Sequence, residues 1–297
     1  MIALALVLDA LFGEPKWLWD RFPHPAVVIG RAIGRAEFWL NNGEARKAKG
    51  VLLVVGLLIV SLLIGGALSW LPWPLQAVIA AILLAQRSLA DHVQAVADAL
   101  RLSSSDGRQA VAMIVGRDTA EMDASAVARS AIESAAENLS DGVTAPLFWL
   151  AIGGLPGMIA YKAINTADSM IGYRTPRHEE FGWAAARLDD LVNLIPARLT
   201  ALLILLTQGG LRHWREVRRE APLHRSPNAG WPESALARSQ GIALSGPRTY
   251  EGELRDFPFV NGSGKRSLAP TDIETAINAL WRVWAACLAL ALIYSHF

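Results

Sequence analysis

Long apolar runs separated by polar segments dominate the chain, and they predict membrane-spanning helices. Residues 50–71 contain no charged side chain, and a bilayer needs about 20 mostly apolar helical residues. A turn at Trp70–Pro74 separates this span from a second apolar run, Leu75–Ala85. The run Ala279–Tyr294 predicts a helix that spans the bilayer or anchors the C-terminal end. Residues 2–12 are apolar but too short to span.

Two central apolar stretches contain helix-breaking residues. Residues 143–161 include the sequence Gly-Gly-Leu-Pro-Gly at Gly153–Gly157, and residues 191–206 include Pro196. Broken helices at membrane depth persist only where they are buried in protein or line a water-filled cavity. We therefore predict that both stretches are broken or partial helices that line a cavity.

Composition supports a membrane protein and excludes several other classes. Hydrophobic residues make up 53% of the chain and charged residues only 19%, whereas soluble domains carry roughly 25% charge. The net charge of +1 argues against a basic nucleic-acid-binding protein. The single cysteine, Cys287, excludes an internal disulfide framework and a multi-cysteine metal site.

Basic residues are concentrated in particular polar segments, which predicts an orientation. Segments 13–49 and 209–278 are rich in Lys and Arg, so the positive-inside rule places both in the cytoplasm. We expect a single integral membrane domain over residues 1–297. Within it, residues 86–142 form an Ala-rich helical cytoplasmic segment, and residues 209–278 form a cytoplasmic loop region.

Local patterns favour helix nearly everywhere. Asp118 and Glu121 form a predicted capping box ahead of a helix from Met122 to Leu139. Strand patterns are almost absent. The predicted fold class is all-α: a polytopic helical membrane protein with broken or partial central helices and polar cytoplasmic loops.

Charged and amide side chains interrupt the apolar pattern between residues 133 and 198. A charge at the centre of a membrane helix costs about 2.5–3.5 kcal/mol on insertion scales, so this concentration predicts a functional cavity. Glu133, Glu137 and Asp141 step by four and share one face of a regular helix. Three carboxylates on one face repel one another unless a cation lies between them. The alternative is a solvated acidic stripe on an exposed helix.

A second set of polar residues follows on the next helices. Lys162, Asn165 and Asp168 lie on neighbouring positions of one predicted helix surface, and Asp189 and Asn193 are one turn apart. Carboxylate and amide oxygens suit Mg²⁺, which usually takes one or two carboxylates plus substrate phosphates.

Basic residues accompany these oxygen donors and suit a phosphate or carboxylate partner. The alternative is salt bridging alone, for example between Arg187 and Asp190, but this does not explain the asparagines. His24, in the turn Phe22–Pro25, is either a ligand or base, or a histidine that caps a turn.

Ordered blocks over residues 9–252 resemble the CobD/CbiB family. They are Asp9–Pro15, His24–Pro25, Val115–Thr119, Ser134–Val143, Lys162–Met170, Ala186–Asn193 with Pro196–Arg198, and Ser226–Gly230. The resemblance implies adenosylcobinamide-phosphate synthase, an integral membrane enzyme of cobalamin biosynthesis. This family joins adenosylcobyric acid to aminopropanol phosphate (or aminopropanol) through an amide, with Mg²⁺ as cofactor and ATP as co-substrate.

With that chemistry, the polar residues divide into three predicted roles. The predicted Mg²⁺ ligands are Asn165, Asp168, Asp189, Asp190 and Asn193. The predicted catalytic residues, with Glu133 or Glu137 as the base, are Glu133, Glu137, Asn138 and Asp141. The predicted binding residues for substrate or ATP are His24, Lys162, Arg174, Arg187, Arg198 and Asn228.

The expected partners are a corrinoid substrate, aminopropanol phosphate and the lipid bilayer, with no nucleic acid, and a homo-oligomer is left open. We expect a multi-pass protein of the cell (inner) membrane. Three alternatives remain at this point: a Mg²⁺-dependent membrane prenyltransferase, a transporter, and a non-catalytic membrane relative.

Overall fold

Helices follow the apolar runs in the computed structural model, which describes residues 1–250 and 253–294. In chain order the α-helices are α1 Ile2–Phe12, α2 Lys16–Trp19, α3 Pro25–Leu40, α4 Arg46–Leu68, α5 Trp73–Leu83, α6 Gln86–Leu102, α7 Ser104–Ala112, α8 Ala124–Leu139, α9 Ala145–Ile171, α10 Trp183–Val192, α11 Leu194–Thr207, α12 Trp214–Glu220, α13 Gly230–Gln240 and α14 Pro270–Tyr294. The short strands are β1 Leu244–Ser245, β2 Arg248–Tyr250, β3 Glu253–Arg255 and β4 Phe259–Val260, with β1 antiparallel to β4 and β2 antiparallel to β3. The all-α prediction is confirmed.

Several helices are long and apolar enough to cross a bilayer. Within the described residues they are Arg46–Leu68, the nearly continuous stretches Trp73–Leu102 and Ala124–Ile171, and Pro270–Tyr294. The helices α10 and α11, bent by 45° at their junction, qualify together as a fifth span. The chain is therefore a polytopic membrane protein. Its first complete span begins four residues before the predicted uncharged run, because Arg46, Lys47 and Lys49 belong to its first turn.

The internal contacts divide the chain into two compact units. Unit 1 comprises Met1–Ala85 and Asp141–Leu194, and unit 2 comprises Gln86–Ser140 and Ile195–Phe297. The single membrane domain expected over residues 1–297 stays a prediction, as does the cytoplasmic location of its polar segments.

Unit 1 is organised around the packing of α4 and α10 on α9. Ile33 of α3, Leu53 of α4, Ile164 of α9 and Phe181 contribute to one buried apolar core. The outer face of α4 exposes a continuous set of large apolar side chains: Leu52, Val55, Ile59, Val60, Leu62, Leu63 and Ile64. Such a face is stable only against lipid or another protein, as expected for a span.

The break predicted within residues 143–161 is present in α9. Gly154 adopts φ 60° and ψ −156°, a conformation outside the helical region, and Pro156 lies just after it. Only glycine adopts this backbone region without strain, and proline removes a helical hydrogen bond. The bend between α10 and α11 is the second predicted break, in residues 191–206. Both breaks are confirmed, whereas a cavity beside them stays a prediction.

An ionic clasp holds the segment between α9 and α10 against α3. Glu37 accepts hydrogen bonds from Arg177 Nε at 2.7 Å and from His178 Nε2 at 2.9 Å. Burial raises the pKa of the Glu37 carboxyl, but the hydrogen bonds and charges of Arg177 and His178 outweigh burial and lower the pKa below its ordinary value. The clasp therefore stabilises the fold at neutral pH and is lost as the pH falls through this lowered pKa.

Unit 2 is built around α8, which packs against α6, α7, α13 and α14. The side chain of Asp123 caps α8 by accepting a hydrogen bond from the Ala126 N–H at 2.7 Å. The capping box predicted at Asp118 and Glu121 is therefore wrong. Both Asp118 and Asp123 precede the same apolar pattern, and the acidic residue immediately before the first helical turn is the one that caps it.

The region 209–278, expected as a loop region, contains regular structure. It holds α12, α13, the four strands and the first turns of α14. Gly230, Pro232 and Ser234 give α13 a loop-like composition, but proline is accepted in the first turn of a helix because its missing N–H has no helical partner there. Composition alone therefore concealed this helix.

The contact between α4 and α9 predicts a sharp difference between two adjacent glycines. A Cβ on Gly65 would lie 2.4 Å from Pro156 Cα, whereas a Cβ on Gly66 meets nothing within 4 Å. We expect Gly65→Ala to destabilise the protein by about 1–3 kcal/mol through overpacking. The matched variant Gly66→Ala should be neutral or slightly stabilising, because alanine favours helix. Thermal unfolding of the detergent-purified variants measures the difference, and equal transition temperatures would contradict this packing.

Candidate functional site

Two carboxylates in unit 1 share one amide group. The Asn165 side chain on α9 donates from Nδ2 toward Asp141 Oδ2 and Asp189 Oδ1, both at 3.3 Å. Asn193, at the end of α10, donates from Nδ2 to Asp189 Oδ2 at 3.1 Å. We call Asp141, Tyr161, Asn165, Asp189 and Asn193 the amide–carboxylate cluster. It gathers oxygen donors from three separate parts of the chain.

Tyr161 fixes the orientation of one amide in the cluster. Its hydroxyl lies 3.0 Å from Asn193 Oδ1 and 3.3 Å from the Asp141 carbonyl oxygen, and both Tyr161 and Asn193 are buried. A hydroxyl proton donated to Asn193 Oδ1 leaves the amide nitrogen of Asn193 facing Asp189. The cluster is thus ordered by directional hydrogen bonds between helices α9 and α10.

Asp141 is presented by an unusual backbone turn. Residues Ser140–Thr144 form a π-helical turn between α8 and α9, and such turns are frequent at functional sites. The Gly142 carbonyl accepts a hydrogen bond from the Ala85 N–H at 3.1 Å, and a Cβ on Gly142 would lie 3.2 Å from the Ala85 Cβ. The turn therefore needs a small residue at position 142.

This turn interrupts the carboxylate stripe that the sequence predicted. Glu133 is buried, Glu137 is exposed, and Asp141 lies in the π-helical turn rather than in the regular helix that carries the other two. The spacing by four therefore does not produce one uniform acidic face. The alternative of a solvated stripe is wrong for Glu133.

The predicted metal ligands have different surroundings. Hydrogen bonds bring Asn165, Asp189 and Asn193 together, and they add Asp141, which was predicted as catalytic. Asp168 acts through its charge on the Tyr161 hydroxyl. Asp190 is half-buried and lies 3.9 Å from Arg187 Nη1, which is the salt bridge considered as an alternative.

The donor atoms of the amide–carboxylate cluster determine which ion it could hold. Within residues 1–250 and 253–294, no group of three or more His, Cys, Asp or Glu side chains is arranged to hold a metal ion. The structure instead combines two carboxylates with two amides. That donor set fits Mg²⁺ in the form where one or two carboxylates act together with substrate phosphates, and it does not form a cage made only of protein carboxylates.

Basic residues lie near the cluster within unit 1. Lys162 is half-buried on α9, where the charges of Asp141 and Glu14 act on its ammonium group. Arg187 on α10 is exposed, and Arg174, which follows α9, is exposed and acts through its charge on Asp190. These cations are available to a negatively charged ligand.

His24 caps the N-terminus of α3. Its Nδ1 accepts a hydrogen bond from the Ala26 N–H at 3.2 Å, and its Nε2 lies 3.1 Å from the Ile82 carbonyl oxygen. Burial lowers the pKa of His24, although the charge of Glu14 and the Ile82 contact raise it. Of the two readings of His24 drawn from the sequence, the capped turn is present. A ligand role would require one of these hydrogen bonds to break.

The predicted residues of unit 2 form separate contacts. Glu133 is paired with Arg117, accepts a hydrogen bond from the Ser245 N–H at 2.6 Å, and lies 3.5 Å from Arg248 Nη2. Asn138 donates to the Ser134 carbonyl oxygen at 2.9 Å. Since donors surround its carboxylate, Glu133 is poorly suited to accept a proton, whereas Glu137 is exposed.

Arg198 and Asn228, both predicted to bind substrate, contact each other. Arg198 Nη1 donates to Asn228 Oδ1 at 3.2 Å, and its guanidinium lies over the Trp231 ring at 4.6 Å. The Ser226 hydroxyl accepts hydrogen bonds from the backbone N–H groups of Asn228 and Ala229. This turn orients Asn228 toward the arginine.

The sequence reasoning missed Tyr161 as a site residue. Tyr161 precedes Asn165 by four residues and therefore lies on the same helix face. Its neighbour Lys162 was assigned to the site instead, because Lys162 is charged. Arg117, Ser245 and Arg248 were also not assigned, because they meet Glu133 only through long-range contacts that spacing does not reveal.

Fold and site together define a polytopic α-helical membrane protein with a polar cluster between helices of one unit. The sequence model of the CobD/Cbib protein family matches residues 2–280. The chain belongs to the CobD/CbiB family.

Curated relatives cover nearly the whole chain. Proteins described as "Cobalamin biosynthesis protein CobD" are 46% identical in Sinorhizobium fredii, over 98% of this chain and 94% of the relative. Those of Brucella anthropi and Rhodobacter capsulatus are each 47% identical, over 95% of this chain and 92% of the relative. No solved structure matches the chain.

The shared amide yields a stability prediction. Asn165→Leu keeps the side-chain size but removes the donor that Asp141 and Asp189 share, so we expect a loss of about 1–3 kcal/mol in unfolding free energy. Thr166→Val is the matched control, because Thr166 donates only to the Lys162 carbonyl within its own helix. Thermal unfolding in detergent compares the two variants. An Asn165→Leu protein as stable as Thr166→Val would refute a structural role for the bridge.

Proposed function

We propose that the protein acts in cobalamin biosynthesis and forms the amide between adenosylcobyric acid and aminopropanol phosphate (or aminopropanol), with ATP as co-substrate and Mg²⁺ as cofactor. The product would be adenosylcobinamide phosphate. Membership of the CobD/CbiB family and relatives named for cobalamin biosynthesis support the pathway. The observation that carries the reaction type is the amide–carboxylate cluster. It is an oxygen-donor set on elements that also contribute to the buried apolar core of unit 1.

Amide formation from a carboxylate needs activation. A carboxylate does not react with an amine at neutral pH, because oxide is a poor leaving group. Transfer of a phosphoryl group from ATP would give an acyl phosphate, from which the amine displaces phosphate. When bound, Mg²⁺ would neutralise negative charge on the transferring phosphoryl group.

The protein's own side chains would then position the reactants. In this proposal Asp141 and Asp189 hold the cation, and Asn165 and Asn193 keep the two carboxylates oriented. Lys162 is suited to a carboxylate or phosphate oxygen, since it is a half-buried cation in the same unit. Preorganised charges of this kind act strongly where water is excluded.

Amide formation also requires a base for the attacking ammonium group. Glu133 and Glu137 were both predicted for this role. Since Glu133 already accepts a hydrogen bond from Ser245 and pairs with Arg117, Glu137 is the better candidate. Its exposed carboxylate can accept a proton without breaking a buried ion pair.

Localisation and partners follow from the same proposal. The protein would lie in the cell (inner) membrane with its main polar segments in the cytoplasm, where ATP is available. Its partners would be the corrinoid, the amine donor and the lipid bilayer, with no nucleic acid. A prenyltransferase, a transporter or a non-catalytic relative is less well supported, because the relatives above are named for cobalamin biosynthesis.

Purified protein supplied with adenosylcobyric acid, ATP, Mg²⁺ and aminopropanol phosphate should form a corrinoid amide, resolved by chromatography and mass spectrometry. We expect Asp189→Asn and Asp141→Asn to lower kcat by at least about 100-fold, as removal of a charge-stabilising group does elsewhere. Asp20→Asn is the matched control, since Asp20 is an exposed carboxylate in the same unit.

Each variant is first compared with the parent protein by thermal unfolding. Full turnover by a stably folded Asp189→Asn protein would overturn the role of the cluster. Absence of any corrinoid amide with the parent protein, together with turnover of a polyprenyl diphosphate, would instead favour the prenyltransferase.

A further inference from the structure

A small pocket in unit 2 is lined by basic and polar groups that have no assigned role. It is formed by the chain just before α13, by one residue each of β1 and β2, and by one residue between β3 and β4. The residues that line it are Leu223, His224, Arg225, Ser245, Arg248 and Phe257. Two arginines therefore face one pocket, and Arg225 is exposed at its surface.

Arg248 is held in place from several sides. Its Nη2 donates to the Ser245 hydroxyl at 2.8 Å and lies 3.5 Å from Glu133 Oε2, and its guanidinium lies over the Phe257 ring at 5.5 Å. Its side chain is only 9% exposed. A buried guanidinium ordered in this way loses little freedom when it binds a ligand.

The carboxylate behind the pocket is shared by two arginines. Glu133 pairs with Arg117 as well as with Arg248, and the charge of Glu137 acts on Arg225. Glu133 and Glu137 thus lie among several guanidinium groups. Of these guanidinium groups, those of Arg225 and Arg248 line the pocket.

Two further titratable groups, His224 and Glu233, lie beside the pocket. His224 Nε2 lies 3.6 Å from the buried Glu233. Burial and the charge of Glu133 raise the pKa of the Glu233 carboxyl well above its ordinary value, and burial with the charges of Arg248 and Arg225 lowers the pKa of His224 to about 4. With a pKa of about 4, His224 is neutral at pH 7 and adds no positive charge to the pocket.

The backbone is strained where it supports these contacts. Ser245 has φ 61° and Gly246 has φ 86°, both in the left-handed region. A serine adopts this region only when the surroundings hold it there. Here the strained turn directs the Ser245 N–H to Glu133 and the Ser245 hydroxyl to Arg248, so it fixes the arginine at the pocket wall.

We propose that this pocket binds a phosphate group through the guanidinium groups of Arg225 and Arg248. Arginine matches the geometry of phosphate oxygens, and two guanidinium groups that line one pocket attract an anion of this kind. The phosphate of an amino-alcohol phosphate and a phosphate of ATP share this chemistry. Such a site deepens the proposed function because it gives a phosphate-bearing substrate a place to bind, and the identity of that substrate rests on the proposed function.

Binding of inorganic phosphate to the purified full chain tests the pocket without any turnover. Isothermal titration calorimetry should detect saturable phosphate binding. Sulfate should compete with phosphate for the site, and acetate should not. We expect Arg225→Gln to weaken binding at least about tenfold, as loss of a charge-assisted hydrogen bond does. Arg219→Gln, which removes an exposed arginine of α12 in the same unit, should leave binding unchanged.

Arg248→Lys is the second variant, because Arg248 is part of a buried ion pair. Lysine keeps the charge beside Glu133 but loses the two-pronged guanidinium, so phosphate affinity should fall while the thermal transition remains near that of the parent. The proposal is overturned if the parent shows no saturable phosphate binding, or if Arg225→Gln binds like Arg219→Gln.

Titrations with aminopropanol phosphate and with a non-hydrolysable ATP analogue distinguish the two sources. The compound whose affinity falls in Arg225→Gln is the one that uses the pocket, and unchanged affinity for both overturns the proposal. These readouts need no amide formation. If the proposed function is wrong, no corrinoid amide forms although the pocket binds phosphate. If the pocket proposal is wrong, the amide forms although the pocket does not bind phosphate.

Discussion

A single amide that serves two carboxylates is the interaction on which the candidate site depends. Asn165 donates to both Asp141 and Asp189 from a helix that qualifies as part of a membrane span. A charged side chain at the centre of such a helix costs about 2.5–3.5 kcal/mol even on insertion scales, and two nearby carboxylates add mutual repulsion. The shared donor, with Asn193 and Tyr161 behind it, offsets part of this cost. The remaining free-energy cost brings no evident benefit to the fold. Charged residues that are kept inside a membrane at such a cost are typically functional.

The scaffold explains how these groups come together. Close packing of α4 on α9, which requires glycine at position 65, sets the position of the long helix that carries Tyr161 and Asn165. The π-helical turn before α9 presents Asp141, and the clasp at Glu37 holds the segment that leads to α10 and Asp189. These three features of unit 1 thus act on elements that carry part of the cluster.

Much of the fold was predictable because membrane spans need only length and apolarity. Uncharged residues 50–71 identified α4, and glycine and proline marked the breaks at Gly154 and before α11. Composition did not predict α13, because the residues of this helix resemble those of a loop. Residue spacing did not predict the surroundings of Asp141, because the regular α-helix gives way to a π-helical turn there. Regular periodicity placed Asp141 with Glu133 and Glu137, but a π-helical turn alters the register within a few residues. Contacts between distant segments, such as Ser245 with Glu133, have no local signal at all.

Mn²⁺ binding, followed by electron paramagnetic resonance, tests whether Asp141 and Asp189 together hold a divalent cation. In the presence of a non-hydrolysable ATP analogue, the purified protein should bind Mn²⁺ in competition with Mg²⁺. The double variant Asp141→Asn with Asp189→Asn should lose this binding while its thermal transition is retained. Unchanged Mn²⁺ affinity in the folded double variant would show that these two carboxylates do not hold the cation.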